Sequence, residues 1–234
     1  GYGRNGEPDD MVFEANTALP LRLLQQAARA RVPLFVHTDT CFNSGSLRYT
    51  YLRSYSLSKR QFTEWGEQFA SRGDVCFVNV KLQHPYGPGD SPAKFVPSSL
   101  DNVEALRLTA GEQKKDFIYI DDVVSALLLV LDRCGEGFAP FQEYECGTGA
   151  AVSIRQFVET AHALIGSRSR LLFGALPYRE HEIMHSCADT SALRDLGWAP
   201  RYDAEEGLER TLRADYGFLS PCRARAEGHA SALR

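Results

Sequence analysis

The 234-residue sequence predicts an α/β fold built on a parallel sheet. Residues 34–36 and 75–82 are short runs of β-branched and aromatic residues, bounded by Pro33 and by Gly73-Asp74, as buried parallel strands are. Between them lie stretches with helical periodicity. This alternation indicates a parallel sheet, because each parallel connection needs a crossover that is usually a helix.

Helical periodicity appears at 14–29 and again at 56–71. In the second segment, Phe62, Trp65 and Phe69 form one apolar stripe. Such a stripe packs either on the chain's own sheet or on a second subunit.

A further strand is predicted at 116–120, with Asp121-Asp122 after it as the N-cap of a helix at 123–131. This helix is apolar on nearly every side, and we expect it to be buried. The remaining predicted elements are a strand at 143–146 and helices at 153–165, 189–196 and 203–216.

Local start and stop signals delimit the C-terminal helices. Ser153 with Gln156 forms a capping box, and Gly166 ends the helix that follows. Gly197 likewise stops the short helix before it. The tail at 221–234 has no convincing period, and we expect it to be flexible.

Composition is that of an ordinary globular protein, with 44% hydrophobic and 24% charged residues. The formal charge of -4 gives no basic field, so we expect no nucleic-acid partner. No apolar run approaches the roughly 20 residues of a membrane span, so we expect no membrane partner and a cytoplasmic location. The six cysteines form no C-x-x-C pair; they indicate reduced core thiols rather than a disulfide framework or zinc site, and no metal site is predicted.

Tyr55 and Lys59 follow a strand that ends in Val36-His37-Thr38-Asp39-Thr40. Being four residues apart, they share one face of a helix, with the ammonium beneath the phenol. Lowering a Tyr pKa from about 10 to about 7 needs about 4 kcal/mol of preference for the phenolate, which a nearby desolvated cation supplies. The pair therefore suggests a proton donor for carbonyl or alcohol chemistry. From the spacing alone, an exposed helix start is the simpler interpretation, so the context decides.

The context is a series of blocks in a fixed order. They are Asn16, Thr38-Asp39-Thr40, Tyr55 with Lys59, residues 84–89, residues 115–122, and Ala188-Asp189 with residues 196–200. This succession resembles the extended short-chain dehydrogenase/reductases that act on nucleotide sugars, the NAD-dependent epimerase/dehydratase family, over nearly the whole chain. Thr38-Asp39-Thr40 together with residues 55–62 is most similar to the CDP-abequose and CDP-paratose synthase branch.

The resemblance implies roles for four catalytic residues. Thr38 hydrogen-bonds the reacting sugar oxygen, and Tyr55 protonates that oxygen as hydride arrives. Lys59 lowers the Tyr pKa and, with Tyr55, contacts the cofactor at the nicotinamide ribose. The carbonyl of Asn16 holds a water that relays protons to this Lys. Outside the resemblance, Thr38 would more simply cap its strand.

Pro20 gives an independent indication for Asn16. Because Pro20 has no N–H, it cannot bond the carbonyl of Asn16, and its ring pushes that carbonyl aside. We therefore expect a kink that frees the carbonyl. The alternative is that Pro20 simply occupies the first position of a helix.

Position 40 bears on the reaction type. Relatives that remove water from the sugar place a Glu after the Asp at this strand end, whereas this chain has Thr40. A hydroxyl cannot take a proton from carbon near neutral pH, so 4,6-dehydratase activity is disfavoured. Reduction or oxidation, or 4-epimerisation through a keto intermediate, remains. Asp39 and Thr40 are expected to contact the substrate.

Further matches suggest the substrate and cofactor contacts. His84 occupies the place of an Asn that touches the nucleotide diphosphate, and Pro85 matches a residue beside the nicotinamide. Any of these side chains could also be an ordinary surface residue. The cations and the aromatic residue expected at the diphosphate and the base are Lys94, Phe95, Lys115 and Arg179.

The implied architecture is a Rossmann-like parallel sheet with a smaller C-terminal substrate domain. Residues 1–84 and 113–150 are assigned to the dinucleotide-binding domain, and residues 85–112 and 151–220 to the substrate-binding domain. The family opens with a strand, a G-x-x-G-x-x-G turn and a helix that binds pyrophosphate, and nothing in this sequence matches them. We therefore expect about two to three βα units to precede Gly1, and we expect this chain alone to bind NAD(P)H negligibly.

The sequence thus predicts an NAD- or NADP-dependent reductase or epimerase of a 4-keto nucleotide sugar, in deoxysugar or surface-polysaccharide synthesis. A homodimer is expected, because relatives pair the helices that match 14–29 and 56–71. The alternative is a non-catalytic remnant that binds sugar nucleotides, or a partner subunit that borrows its cofactor half from another chain.

Overall fold

The computed structural model describes residues 6–44, 52–90, 104–133 and 139–216. The helices are α1 (Asp9–Phe13), α2 (Leu19–Arg29), α3 (Arg53–Ser71), α4 (Ile120–Arg133), α5 (Ile154–Ile165), α6 (Ser191–Asp195) and α7 (Ala204–Tyr216), with a π-helical turn at Glu14–Ala18 and a 3-10 turn at Cys41–Asn43. The strands are β1 (Leu34–Thr40), β2 (Cys76–Leu82), β3 (His84–Tyr86), β4 (Ala105–Arg107), β5 (Lys114–Lys115), β6 (Phe117–Tyr119), β7 (Phe141–Cys146), β8 (Val152–Ser153), β9 (Arg170–Leu172) and β10 (His185–Ser186). Within these ranges, each helix is too short or too polar to cross a lipid bilayer.

A parallel sheet with strand order β1-β2-β7 lies at the centre of the fold, which confirms the predicted α/β class. In this sheet β2 pairs with β1 from Leu34 opposite Cys76 to Thr40 opposite Leu82. The first strand contains the predicted run at 34–36 and ends at Thr40, where the sequence placed its end.

The two faces of this sheet bury different clusters. On one face, Phe62 of α3 and Leu24 of α2 pack against Phe77 of β2, and all three are fully buried. On the other face, α4 and α6 cover the side chains that alternate with Phe77 along the strand, Val78 and Val80. The sheet is therefore a middle layer, and α3 lies directly against it.

Gly66 allows α3 to approach the sheet closely. A Cβ atom built on Gly66 would lie 2.2–2.4 Å from three ring atoms of Phe77. The Phe77 ring has rings on several sides, with Phe35 and Phe141 stacked at centroid distances of 5.8 and 6.2 Å. Because the ring has little room to move, only glycine fits at this helix position.

The prediction that α4 is buried was wrong, and the apolar stripe of α3 is only partly covered by the sheet. Helix α4 buries Val123 and Val130 but leaves Leu128 and Leu131 60% and 53% exposed, so it is amphipathic in this structure. On α3, Phe62 and Phe69 are buried, whereas Trp65 is 45% exposed. In both helices one stripe meets the sheet, and apolar composition alone does not say which residues that stripe contains.

The N-terminal helical segment begins at Asp9, five residues before the predicted start at 14. Asp9 and Asp10 follow Pro8 and lie in the first turn, where carboxylates interact favourably with the helix dipole. At the C-terminal end, the predicted cap of α5 is confirmed. Ser153 Oγ accepts from Gln156 N at 3.0 Å, and Gly166 ends the helix at a φ of 68°.

Short strands form three smaller sheets beside the main one. They pair β3 with β6, β4 with β9, and β5 with both β10 and β8. The predicted division at residue 113 assigns β5 to the dinucleotide-binding domain, yet β5 pairs with two strands of the region assigned to substrate. The two regions are thus joined by hydrogen bonds at this point, and the domain boundaries stay a prediction.

Two buried aspartates connect distant parts of the chain. Asp116 accepts hydrogen bonds from Thr148 N at 2.8 Å, Gly149 N at 3.0 Å and Ala188 N at 3.1 Å. Asp122 was expected to cap α4, but it lies inside the first turn and accepts from Arg201 N at 3.1 Å. Each carboxylate satisfies backbone N–H groups of segments that have no regular structure.

Candidate active site

The carboxyl end of β1 meets the start of α3 at the predicted Tyr/Lys pair. Lys59 Nζ donates to the backbone carbonyl of Thr38 at 2.8 Å. One turn earlier on the same face, Tyr55 is 8% exposed and packs with Val12 and Leu52. The structure therefore joins Lys59 to the backbone of Thr38, with Tyr55 one helical turn before Lys59, and the catalytic roles of the three residues stay a prediction.

The electrostatics of Lys59 are set by two opposing influences. Burial lowers the pKa of the Lys59 ammonium, and the carboxylate of Asp39 acts in the opposite direction. A Lys in this position is a desolvated cation one helical turn from a phenol. This is the arrangement that stabilises a phenolate.

Asp39 is 4% exposed and lies within a polar network. Its Oδ1 accepts from Thr40 N at 2.8 Å and from Asn43 Nδ2 at 2.9 Å. Its Oδ2 lies 3.4 Å from Asn79 Nδ2 and 3.5 Å from Thr63 Oγ1. Because side chains alternate along a strand, Asp39 faces α3 while Thr38 and Thr40 face the opposite side.

A π-helical turn precedes Pro20, where the sequence predicted an irregular helix. Asn16 and Thr17 lie in this turn and are buried. Thr17 Oγ1 donates to the carbonyl of Ser58 at 2.8 Å, which fixes the turn against α3 beside Lys59. Turns of this type are frequent at functional sites. The water relay through Asn16 stays a prediction.

Lys115 is buried on β5 and approaches the Tyr55 cluster through Ile183. Its ammonium donates to the carbonyl of Ile183 at 2.6 Å and lies 3.7 Å from Glu182 Oε1. Burial lowers the Lys115 pKa, and Glu182 opposes this change. The side chain of Ile183 packs against the cluster that contains Tyr55. Lys115 thus lies beside the site, already paired with an acidic residue.

His84 follows β2 and lies between two aromatic rings. Its ring centroid is 6.2 Å from that of Phe42 and 5.9 Å from that of Phe117. Burial lowers the His84 pKa to about 4, and Lys115 acts in the same direction. Its Nδ1 is buried without a hydrogen-bond partner among the residues that the structure describes. The adjacent Pro85 is half-buried in β3, opposite Ile118 of β6.

The remaining residues expected to contact the substrate are Thr40, Arg179, Lys94 and Phe95. Thr40 is 6% exposed, and its Oγ1 accepts from Phe42 N at 3.4 Å at the start of the 3-10 turn. Arg179 is exposed, and Lys94 and Phe95 lie outside the described residues.

The site predicted from the sequence did not include Phe42, Asn43, Glu182 and Ile183. Asn43 could have been predicted from the sequence, because it follows Asp39 by four residues and therefore lies in the short turn after the end of β1.

Comparison with known proteins decides the family. Residues 1–147 match the NAD dependent epimerase/dehydratase family. The chain is 38% identical over 218 residues to CDP-abequose synthase of Salmonella typhimurium, an alignment that covers 91% of this chain and 73% of that protein. This chain belongs to the NAD dependent epimerase/dehydratase family. The family resemblance derived from the sequence is therefore confirmed.

A second family member, CDP-abequose synthase of Salmonella muenchen, is also 38% identical, over 90% of this chain and 73% of its own length. Among solved structures, the dTDP-glucose 4,6-dehydratase DesIV of Streptomyces venezuelae superposes with a TM-score of 0.77 at 23% identity, over 92% of this chain and 69% of that one. The UDP-glucose 4-epimerase of Thermotoga maritima superposes with a TM-score of 0.74 at 22% identity, over 86% and 69%. These structures share the fold. The family is NAD dependent by its description, in agreement with the expected nicotinamide cofactor.

Proposed function

We propose that this chain acts as a reductase or epimerase on a 4-keto nucleotide sugar in deoxysugar synthesis, with Tyr55, Lys59 and Thr38 as its catalytic residues. The observation that carries the proposal is the 2.8 Å hydrogen bond from Lys59 Nζ to the Thr38 carbonyl. This bond fixes the cation at the strand end where Thr38 lies. A CDP-linked sugar is the first substrate to test, because the relatives at 38% identity are CDP-abequose synthases.

The residues present fit the nicotinamide ribose of the cofactor. The Lys59 ammonium has three N–H donors, of which the Thr38 carbonyl engages one, so donors remain for ribose hydroxyls. Pro85 lies in β3, shortly after the end of β2, and its ring supplies an apolar surface. When bound, NAD or NADP supplies or accepts the hydride.

Tyr55 is the residue proposed to move the proton. During reduction its hydroxyl gives a proton to the sugar carbonyl oxygen, while the Thr38 hydroxyl orients that oxygen by a hydrogen bond. The positive charge of Lys59 stabilises the phenolate that remains. Oxidation at the same carbon, as in epimerisation, uses these steps in reverse.

Thr40 supports this reaction type over dehydration. Its side chain bonds the backbone of the 3-10 turn, and a hydroxyl is not a base for a C–H proton near neutral pH. Asp39 is the adjacent carboxylate, and it faces α3. Reduction and epimerisation need no such base.

The diphosphate is proposed to bind near His84, Lys115 and Arg179. Two cations and a buried ring nitrogen without a partner in the described ranges give a site for an anionic, polar ligand. The substrate would have to share or displace Glu182 at Lys115. Lys94 and Phe95 keep their predicted roles at the diphosphate and the base.

Tyr55→Phe tests the proposal directly, in the full-length protein. It removes the transferable proton and keeps the ring, so turnover of a CDP-linked 4-keto sugar should fall by at least ~100-fold. Substrate affinity should be nearly unchanged. The measurement is the nicotinamide absorbance with NADH and with NADPH, combined with product analysis to separate reduction from epimerisation.

Tyr144→Phe is the matched control. Tyr144 is buried on β7 in the α4-side cluster, two strands across the sheet from Thr38. Its loss of a hydroxyl should leave turnover unchanged. Wild-type-like turnover of the Tyr55 variant would remove Tyr55 from the mechanism, and wild-type protein without turnover on any 4-keto nucleotide sugar would favour the non-catalytic alternative.

A homodimer is proposed through the helices that precede β1 and β2. On this side the structure exposes large apolar residues, with Met11 59%, Leu23 55% and Trp65 45% exposed. Light scattering should show a dimer at micromolar concentration, and Trp65→Glu should shift the mass toward the monomer. Leu128→Glu, on the exposed face of α4, should not. A monomeric wild-type protein would contradict this proposal.

A further inference from the structure

We propose that Asp39 is a positioning residue for the Tyr55/Lys59 pair and does not contact the sugar, with Asn43 as its link to the Tyr55 turn. The inference rests on the proposed function for the roles of Tyr55 and Lys59. It replaces the substrate contact that the sequence suggested for Asp39.

The orientation of Asp39 is the first reason. Both carboxylate oxygens face protein groups, from the backbone of the next residue to β2 and α3, and the residue is 4% exposed. Thr38, whose side chain alternates with that of Asp39, faces the other side of the strand. A carboxylate with these contacts would have to leave them to reach a sugar.

The charge of Asp39 is the second reason. Lys59 is half-buried, and its burial favours the neutral amine; the carboxylate of Asp39 counteracts this effect. The other charged or titratable groups around the pair are Tyr55 on α3, His37 on β1, and Lys81 and Glu143 at the far end of the network. Of the two acidic groups, Asp39 is the one whose charge raises the Lys59 pKa, whereas Glu143 connects to Asp39 through Asn79.

The hydrogen bonds of Asn43 are the third reason for a positioning role of Asp39. Its Nδ2 donates to Asp39 Oδ1 at 2.9 Å and to the carbonyl of Ser56 at 3.1 Å. Ser56 directly follows Tyr55, so this amide connects the strand end to the helical turn that carries the phenol. Asp39 thus acts on Lys59 through charge and on Tyr55 through Asn43.

The test combines two measurements on the full-length protein. Asp39→Asn keeps the shape and removes the charge, so the ε-carbon NMR signal of Lys59, assigned with Lys59→Arg, should titrate at lower pH than in the wild type. Turnover should fall by about tenfold or more, the effect of losing about 1.4 kcal/mol, with KM for the nucleotide sugar unchanged. The titration needs no turnover, so it tests Asp39 even if the proposed function fails.

Two further variants separate the parts of the proposal. Glu143→Gln removes the other carboxylate of the network and should change neither the Lys59 titration nor turnover. Asn43→Ala should lower turnover and leave the Lys59 titration unchanged. This variant still tests the link to Tyr55 if Asp39→Asn does not fold. An unshifted Lys59 titration in Asp39→Asn, or a large rise in KM at constant kcat, would overturn the positioning role.

Discussion

Asp116→Ala should lower the free energy of unfolding by about 3 to 5 kcal/mol, as expected when the partner of several buried polar groups is removed. The side chain is fully buried and accepts from Thr148 N, Thr148 Oγ1, Gly149 N and Ala188 N. Alanine leaves these donors without acceptors. It also leaves a cavity between β6 and two irregular segments. Urea denaturation followed by circular dichroism measures the effect.

Asp116→Asn and Asp121→Asn are the informative comparisons. Each Asp116 oxygen accepts at least two hydrogen bonds, so an amide NH₂ at either position faces donors, and Asp116→Asn should also be clearly destabilising. Asp121 is exposed in the first turn of α4, where losing its charge should cost at most about 1 kcal/mol. A loss below 1 kcal/mol for Asp116→Ala would show that Asp116 does not hold the segments around Thr148 and Ala188 in place.

Acidification from pH 7 to pH 5 should lower the free energy of unfolding by about 4 kcal/mol through two histidines, about 2 kcal/mol each. Burial, and secondarily Lys59, lowers the pKa of His37 to about 3, and burial lowers that of His84 to about 4. Both values lie below the unfolded value of about 6.5, so the unfolded chain binds protons first as the pH falls. Stability is therefore lost below about pH 6.5 and is fully present above it.

His37→Phe should remove about half of this pH dependence. The ring of His37 lies 4.7 Å from that of Phe62 in an aromatic cluster, and its Nε2 has no partner within the described residues, so phenylalanine suits the position. The measurement is denaturant unfolding at pH 7, 6 and 5, above the range in which exposed carboxylates titrate. Equal pH slopes for the variant and the wild type would contradict the assignment.

Local patterns predicted most of the central fold. The β-branched runs before His37 and at 75–82 became β1 and β2, because such residues suit a strand buried on both faces. Capping chemistry predicted α5 correctly, since the Ser153 and Gly166 signals depend on neighbouring residues alone. The exposure of Leu128 and Trp65 could not be predicted in this way. Whether a second apolar stripe is covered depends on what packs there, which periodicity does not encode.

The site shows the same limit at the level of single side chains. Tyr55 and Lys59 could be paired from their spacing, because a helix fixes the geometry of residues four apart. Asp39 was placed with the substrate by family resemblance, although strand alternation already put it on the face opposite Thr38. The partners of Lys115 come from residues more than sixty positions away, and only the folded chain brings them together.

The close approach at Gly66 affects the orientation of Tyr55 and Lys59, the proposed catalytic pair. Gly66 lies about two helical turns after Lys59 and about three after Tyr55, so all three share one stripe of α3. A helix seated on the flat Phe77 ring cannot roll about its axis, and any roll would swing the ammonium and the phenol sideways together. The orientation of Tyr55 and Lys59 thus depends on an aromatic stack roughly 10 to 16 Å away along the helix. Substitutions in that stack would appear as losses of turnover in a protein that remains folded.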